Sequence, residues 1–491
     1  MKLKTLFNFI ITPLIVAGIY FFADLDPEKP MVTAAFCVAI LMAVWWITEA
    51  VPLAVTSLLP VILFPVLGIM DGKSVASTYF NDVIFLFMGG FFIALAMEKW
   101  NLHRRIAIRI LSFTGVTPSL ILLGFMTASF FISMWISNTA TVMMMIPIVT
   151  SVISQFEDIT SVGRQSKFST GLLLGVAYGA SIGGTATLVG TPPNLSLVRI
   201  FHIYFPDRPD ITFSSWLFFA LPTALLVFIS AWIILKYKFP HENKKGALLE
   251  KNTFEKHLQE LGKMSFEEKA VSIIFTLVAV LWIFRADIDL GGFKIPGWAD
   301  LFKYGKYIND GTVAMAGAVT LFLIPSKNKN RERIMEWKTA SKLPWNILLL
   351  FGGGFALATG FKESGLSLWF GERLAGASDL HPFLLILCIS LVMTFLTELT
   401  SNTATTEMIL PVLAGISVTT GIDPLLLMIP ATFSASMAFM LPVATPPNAI
   451  IFGTNRIRVR QMASVGFILN LIGAIIISAM MYFWGSVIFL K

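Results

Sequence analysis

The pentapeptide Ser137-Asn138-Thr139-Ala140-Thr141 occurs twice in this chain, returning as Ser401 to Thr405. Each copy interrupts a long apolar run, and each is followed at the same distance by a proline, Pro147 and Pro411. The offset is 264 residues for both landmarks, from 137 to 401 and from 147 to 411. A second polar patch follows each copy: Gly190-Thr191-Pro192-Pro193-Asn194 in the first case, Ala444-Thr445-Pro446-Pro447-Asn448 in the second. Hydrocarbon offers no partner to a bare backbone group, so irregular, hydroxyl-rich segments at membrane depth line a site or a cavity. Broken apolar segments at matching places in two halves point to the binding site of a secondary transporter.

That inference needs a membrane chain, and composition supplies one. Of 491 residues, 56% are hydrophobic and 13% charged, whereas a soluble domain is about 25% charged. Apolar runs of roughly 17 residues or more recur along the chain. The net charge of +7 does not indicate a nucleic-acid partner, because the basic residues sit in short loops beside apolar runs, as the positive-inside rule expects. Cys37 and Cys388 fall in apolar segments and the five histidines are scattered, so neither a disulfide framework nor metal-type spacing is present. The run from Phe7 to Phe22 ends in Ala-Asp-Leu-Asp-Pro without a small-residue cleavage site, and is expected to be the first membrane helix instead of a signal peptide.

Crossings are expected near residues 6–22, 31–47, 52–70, 83–97, 216–235, 270–284, 312–324, 345–361 and 465–490. Two more start near Ser169 and Pro424 and break at Gly190 to Asn194 and at Thr445 to Asn448. Between Glu98 and Arg109 apolar and basic residues alternate at helical spacing, which fits an interfacial helix or an ordinary basic loop equally well. The interrupted runs 118–156 and 382–419 are too long for one crossing. Each is either two crossings or a re-entrant hairpin with Ser-Asn-Thr at its tip. The polar tip favours the hairpin, since two full crossings would place the motif at the far surface.

The expected fold is therefore an all-α polytopic membrane protein with about 11 transmembrane helices, two opposed re-entrant hairpins and an inverted-topology repeat. Its divisions are an N-terminal helix, 1–30; repeat 1, 31–236, with a cytoplasmic-side hairpin at 118–156; a solvated cytoplasmic linker, 237–269; and repeat 2, 270–491, with an exterior-side hairpin at 382–419. The distribution of Lys and Arg places the N-terminus in the cytoplasm and the C-terminus outside, in the cell membrane. Phe87-Met88-Gly89-Gly90-Phe91 and Phe351-Gly352-Gly353-Gly354-Phe355 keep the same offset. An odd number of crossings separates equivalent points, so the second copy is inverted and the two tips can meet near the midplane.

With both Ser-Asn-Thr copies, both Thr-Pro-Pro-Asn patches and the run from Ala435 to Asn448, the chain resembles the divalent anion/sodium symporter family, the INDY-type carriers of di- and tricarboxylates. The likeness covers nearly the whole chain, with Ile451 where valine is usual. It implies a homodimer in the lipid bilayer, a scaffold domain, and a transport domain that moves as an elevator. It implies substrate contacts at Asn138, Thr139, Asn402, Thr403, Thr445 and Pro446. One sodium site would comprise Ser133, Ser137, Asn138 and Gly190, the other Thr397, Thr400, Asn402 and Ala444. The implied cargo is a C4-type dicarboxylate of the succinate, malate, fumarate and 2-oxoglutarate class. Na+ is the expected coupling ion, and sodium-independent exchange is the alternative.

No Arg or Lys lies within either motif, so a dianion must be held by Asn amides, Thr hydroxyls and helix N-termini. Neutral donors release an anion more readily than a buried Arg pair, and nearby Na+ would offset its charge. Packing of small polar residues between helices would explain one Ser-Asn-Thr, but not two in register, each followed by Thr-Pro-Pro-Asn. Glu398 and Glu407 flank the second copy and have no counterparts in the first, where Trp135-Ile136 and Met143 stand. Intramembrane acids are functional candidates; a capping or pairing role is favoured here over proton binding. A membrane enzyme would need a nucleophile with a base, an acid/base pair or a metal cluster, and no such constellation occurs. A channel would need a continuous pore, which two opposed hairpins would close.

Overall fold

The computed structural model describes residues 3–115, 117–160, 166–239, 253–289, 294–327, 332–376 and 380–490. Helices α1 (Leu3–Phe22) and α2 (Pro30–Thr48) form an antiparallel pair at the N-terminus. Then follow α3 (Leu53–Thr56), α4 (Leu59–Val66), α5 (Gly72–Thr78), α6 (Asp82–Lys99) and α7 (Leu102–Ser112). A helical hairpin, α8 (Pro118–Ser133) and α9 (Asn138–Thr160), leads into α10 (Lys167–Thr185), α11 (Pro192–Tyr204) and α12 (Phe213–Lys238). The second half runs through α13 (Thr253–Glu260), α14 (Phe266–Ile283), α15 (Asp310–Leu323), α16 (Trp337–Ala340), α17 (Trp345–Ser364) and α18 (Leu366–Arg373). Its own hairpin, α19 (Pro382–Thr397) and α20 (Asn402–Thr420), precedes α21 (Pro424–Ala435), α22 (Pro446–Phe452), α23 (Val459–Met480) and α24 (Ser486–Phe489). The described strand structure is one antiparallel pair, with Ile288 opposite Ile295 and Asp289 opposite Lys294.

The 264-residue offset holds at the level of whole elements. Adding it to the bounds of α8 gives those of α19, and adding it to the starts of α7 and α9 gives the starts of α18 and α20. α6 maps onto α17 within one residue at either end. Local chemistry starts these helices where it can. Pro118 and Pro382 stand at first helical positions, where the missing N–H costs nothing. Asn81 caps α6 by accepting from the Val83 and Ile84 amides at 3.1 and 3.2 Å. Capping boxes start α12 at Thr212 and α14 at Ser265.

Two apolar cores result. The larger joins α6 to α12 with α14, α15 and α19 to α23. The smaller is built by α2, α4, α5, α17 and α18, around Trp46, Phe64, Tyr79 and Phe361, and receives Ala404 from α20. Five helices are long and apolar enough to cross a membrane, with six shorter apolar ones, among the described residues.

The structure departs from the expectations in five places. Residues 52–70 form two short helices instead of one, and Pro60, in the first turn of the second, lacks the amide that would continue the ladder back to Thr56. The helix breaks lie before the paired prolines: α10 ends at Thr185 and α21 at Ala435. Prolines are tolerated in a first helical turn but push the preceding residue into extended backbone, and Thr191 (φ −146°) and Thr445 (φ −141°) are extended. The segment 98–109 contains a helix, α7, and it has an unexpected counterpart in α18. Part of the 237–269 linker lies outside the described residues; its last section leaves Glu255, Gln259, Glu260 and Lys263 exposed but also packs on the first half. Phe254 is buried near Phe125, and the Arg105 guanidinium of α7 reaches Glu268 at 2.8 Å and the Gly262 carbonyl at 2.9 Å. Finally, the last long helix begins at Val459 and passes through a π-helical turn, Met481–Gly485, before α24.

Candidate functional site

Both hairpin turns carry the same internal bond. Ser133 Oγ lies 2.5 Å from Asn138 Oδ1 in the first, and Thr397 Oγ1 lies 2.8 Å from Asn402 Oδ1 in the second. Positions 133 and 397 are again 264 apart. With Oδ1 engaged by a hydroxyl donor, each asparagine turns its two amide N–H donors elsewhere. Thr397 Oγ1 also lies 2.8 Å from the Ala435 carbonyl, the last of α21. Thr400 and Thr405 share a short hydroxyl contact across the second turn.

The Thr-Pro-Pro-Asn asparagines repair the broken helices. Asn194 Nδ2 donates to the Thr187 carbonyl at 2.7 Å, and Asn448 Nδ2 donates to the Ala438 and Leu441 carbonyls at 3.0 and 3.1 Å. Glu398 caps the second break. Its carboxylate accepts from the Phe439, Met440 and Leu441 amides at 2.7–3.0 Å and from Asn470 Nδ2 at 2.8 Å. Tyr178 of α10 donates to the Phe439 carbonyl at 2.7 Å, so the first half helps hold the second half's break.

Each hairpin also packs on the other half's re-started helix, α9 on α22 and α20 on α11. An ion pair closes each contact at the far end of the hairpin. Glu157 of α9 meets Arg456, just after α22, and Asp423, just after α20, meets Arg208, just after α11, at 2.6 Å.

Through these contacts the two tips face one cavity of about 740 Å³. Ser137, Asn138, Thr139, Gly190, Thr400, Asn402, Thr403, Ala444, Thr445 and Pro446 all line it. Ser133 and Thr397 are buried behind the asparagines and do not. The N-termini of α9, α11 and α20, and of the short α22, open onto the cavity. Their free N–H groups and dipoles favour an anion. The opposite wall is made by Trp46 to Glu49, Phe87, Phe91, Asn346, Ile347 and Leu350. Among the described residues neither Lys nor Arg lines the cavity, and Glu49 is its one charged wall residue.

Oxygen atoms crowd the first tip. A Cβ on Gly190 would meet the Gly184 carbonyl at 2.5 Å and the Ser133 carbonyl at 3.0 Å, while one on Gly184 would strike Asn138 Oδ1. Only glycines leave this cradle of two carbonyls and an amide oxygen open. Such neutral, hard oxygen ligands suit a small cation. At the second tip Asn402 Oδ1, Thr397 Oγ1 and the Ala435 carbonyl form the related group.

Several contributors escaped the sequence reading. Asn194 and Asn448 stand inside the quoted motifs, and their spacing after the prolines was the available signal. Tyr178 and Asn470 are single polar residues in apolar runs, indistinguishable there from ordinary helix packing. Trp46 to Glu49 and Asn346 belong to helix ends with no repeated motif.

Known proteins resemble this chain over most of its length. Residues 3–490 match the family model described as the sodium:sulfate symporter transmembrane region. A "Sodium-dependent dicarboxylate transporter SdcS" of Staphylococcus saprophyticus is 45% identical over 468 residues, covering 93% of this chain and 87% of that protein. The protein of the same name from Staphylococcus aureus strain NCTC 8325 is 44% identical over 485 residues, covering 97% and 91%. Among solved structures, the Alcanivorax borkumensis YdaH transporter aligns with a TM-score of 0.55 at 15% identity, covering 83% of this chain and 86% of that one. The Neisseria gonorrhoeae protein MtrF aligns with a TM-score of 0.56 at 14% identity, covering 96% and 97%. At those identities the two structures speak to the fold alone.

Proposed function

This chain belongs to the sodium:sulfate symporter family, and from that premise we propose that it is a secondary transporter carrying a dicarboxylate together with Na+. One observation carries the reading: two duplicated neutral tips and the N-termini of three long helices meet at a cavity that no Lys or Arg lines among the described residues. Asn138 and Asn402 offer amide donors, Thr139, Thr403 and Thr445 offer hydroxyls, and the backbone at Pro446 shapes the wall. Thr445 Oγ1 accepts from the Asn448 amide at 3.3 Å, which leaves its own proton for a substrate oxygen. The oxygen cradles at Ser133, Ser137, Asn138 and Gly190, and at Thr397, Thr400, Asn402 and Ala444, hold the cations that offset the dianion. The substrate class is the C4 dicarboxylates.

In this reading the N-terminus is cytoplasmic, the hairpins are re-entrant from opposite faces, and two chains form a dimer in the cell membrane. The α2–α4–α17 core serves as scaffold, and the hairpins with α10, α11, α21 and α22 move past it as an elevator. The cavity wall at Thr48, Glu49 and Asn346 belongs to helix ends that this orientation places on the cytoplasmic side, so the structure corresponds to the inward-facing state.

Labelled succinate uptake into proteoliposomes tests the proposal. Saturable uptake that collapses when Na+ is replaced by choline is expected. Uptake unchanged in choline yet raised by preloaded succinate would overturn sodium coupling and leave dicarboxylate carriage standing.

A further inference from the structure

The two acids beside the second motif are treated in opposite ways by the fold. Glu398 is fully satisfied, by three backbone amides and Asn470. Glu407 is wholly buried on α20, where Oε1 accepts from Ser196 Oγ of α11 and Oε2 has no hydrogen-bond partner among the described residues. That bare oxygen lies against α17, in the space a Cβ on Gly354 would occupy. No charged group of the neighbouring helices pairs with Glu407 among the described residues. On α11, Arg199 sits 3.7 Å from Asp82 and His202 3.3 Å from Asp210. On α17, Lys362 donates to the Ile203 carbonyl, and Glu363 lies beside it near the helix end. On α18, Arg373 stacks on Trp369, next to Glu372. The remaining helices against α20, namely α2, α19 and α21, contain no Asp, Glu, Lys, Arg or His. An ionised carboxylate there would be a buried charge without a counter-ion, which proteins avoid by keeping the acid protonated.

The repeat shows what happens to this position when its hairpin is released. The residue equivalent to Glu407 is Met143, 264 residues earlier, and it is 61% exposed. α20 packs along α17 and α18, whereas α9 has no comparable packing on α6 or α7 among the described residues. In inverted repeats the two halves exchange arrangements between the two end states. Release of α20 therefore brings position 407 to the exposure that position 143 has now.

We infer that Glu407 binds a proton from the side on which the second hairpin opens, and that this hairpin can close onto α17 only with the proton bound. On closing, a proton from that solution joins the carboxylate to form the neutral acid. On opening, the O–H bond breaks and the proton returns to the same solution, so no net proton crosses the membrane. The inference rests on the alternating-access reading above.

Sodium-driven succinate uptake into right-side-out vesicles tests it, between roughly pH 7 and 9 where the substrate stays fully ionised. Wild-type uptake should fall as external pH rises, by up to about tenfold per unit where closure limits the rate. It should ignore internal pH. Glu407→Gln, a permanently neutral isostere, should transport with a flat external profile, and Glu407→Asp should restore the slope. A flat wild-type profile, or an unchanged slope in Glu407→Gln, overturns the inference while leaving carriage intact. If the Gln variant fails to reach the membrane, the wild-type response decides: dependence on internal pH, or on neither side, overturns it. Absence of wild-type uptake at every pH would instead remove the carrier reading, and this inference with it.

Discussion

The two hairpins share a motif, a register and an internal hydrogen bond, yet they are packed differently. α9 lies against α10 and α22, and its Met143 is open. α20 lies against α11 and α21 in the same way, but is also held by α17 and α18, with Glu407 sealed against Gly354. Contacts within the moving unit are therefore symmetric, and contacts to the α2–α4–α17 core are not. A carrier built from an inverted repeat needs this division. The bonds that shape the site must survive the transport cycle, and those that distinguish its end states must be present in one half at a time.

The largest effect expected on either side of this comparison comes from the symmetric part. Asn138→Ala and Asn402→Ala should each lower succinate uptake about 100-fold or more, since each loses bonds to a charged group worth roughly 1.5–3 kcal/mol and a cation ligand besides. Size-exclusion profiles should stay unchanged. Wild-type uptake by either variant would break the equivalence of the two tips.

A smaller and one-sided effect should appear at the glycines. A Cβ on Gly354 would collide with the Glu407 carboxyl, whereas one on Gly90, its equivalent, would meet Val189 Cγ1 at an ordinary 3.5 Å. Gly354→Ala should cost roughly 1–3 kcal/mol by overpacking, and Gly90→Ala close to nothing. Thermal unfolding in detergent reads the difference. Equal shifts would contradict the asymmetric packing of the two hairpins.

The smallest effect belongs to the two ion pairs. The Glu157–Arg456 side chains are 13% and 15% exposed, and those of Asp423–Arg208 are 21% and 36% exposed. Double-mutant cycles should give a coupling of about 1–2 kcal/mol for the first pair and about 0.5–1 kcal/mol for the second. Higher salt should weaken the second more. A reversed order would mean that burial does not govern these clamps.

Much of this arrangement was legible before any coordinates. Proline and serine placed α8 and α19 in register, and duplication singled out both tips and both breaks. Features without a duplicated letter were harder to see. α18 is eight residues long and shares little sequence with α7, so only its position after α17 marks it as the counterpart. The prolines mark the breaks in the sequence, although proline's first effect is on the residue before it. The separate fates of Glu398 and Glu407 were invisible because their partners, Asn470 and Ser196, are distant in sequence. Pairing of that kind is tertiary, and one residue type in an apolar run cannot announce it.

Equilibrium binding of labelled succinate to the purified protein tests the central claim most directly, because it asks whether one site is shared by both halves and by Na+. One succinate per chain is expected in Na+, with binding at least about tenfold weaker in choline, and none detectable when either Asn138 or Asn402 is alanine. Two independent sites per chain, or succinate binding of equal strength in choline, would contradict it.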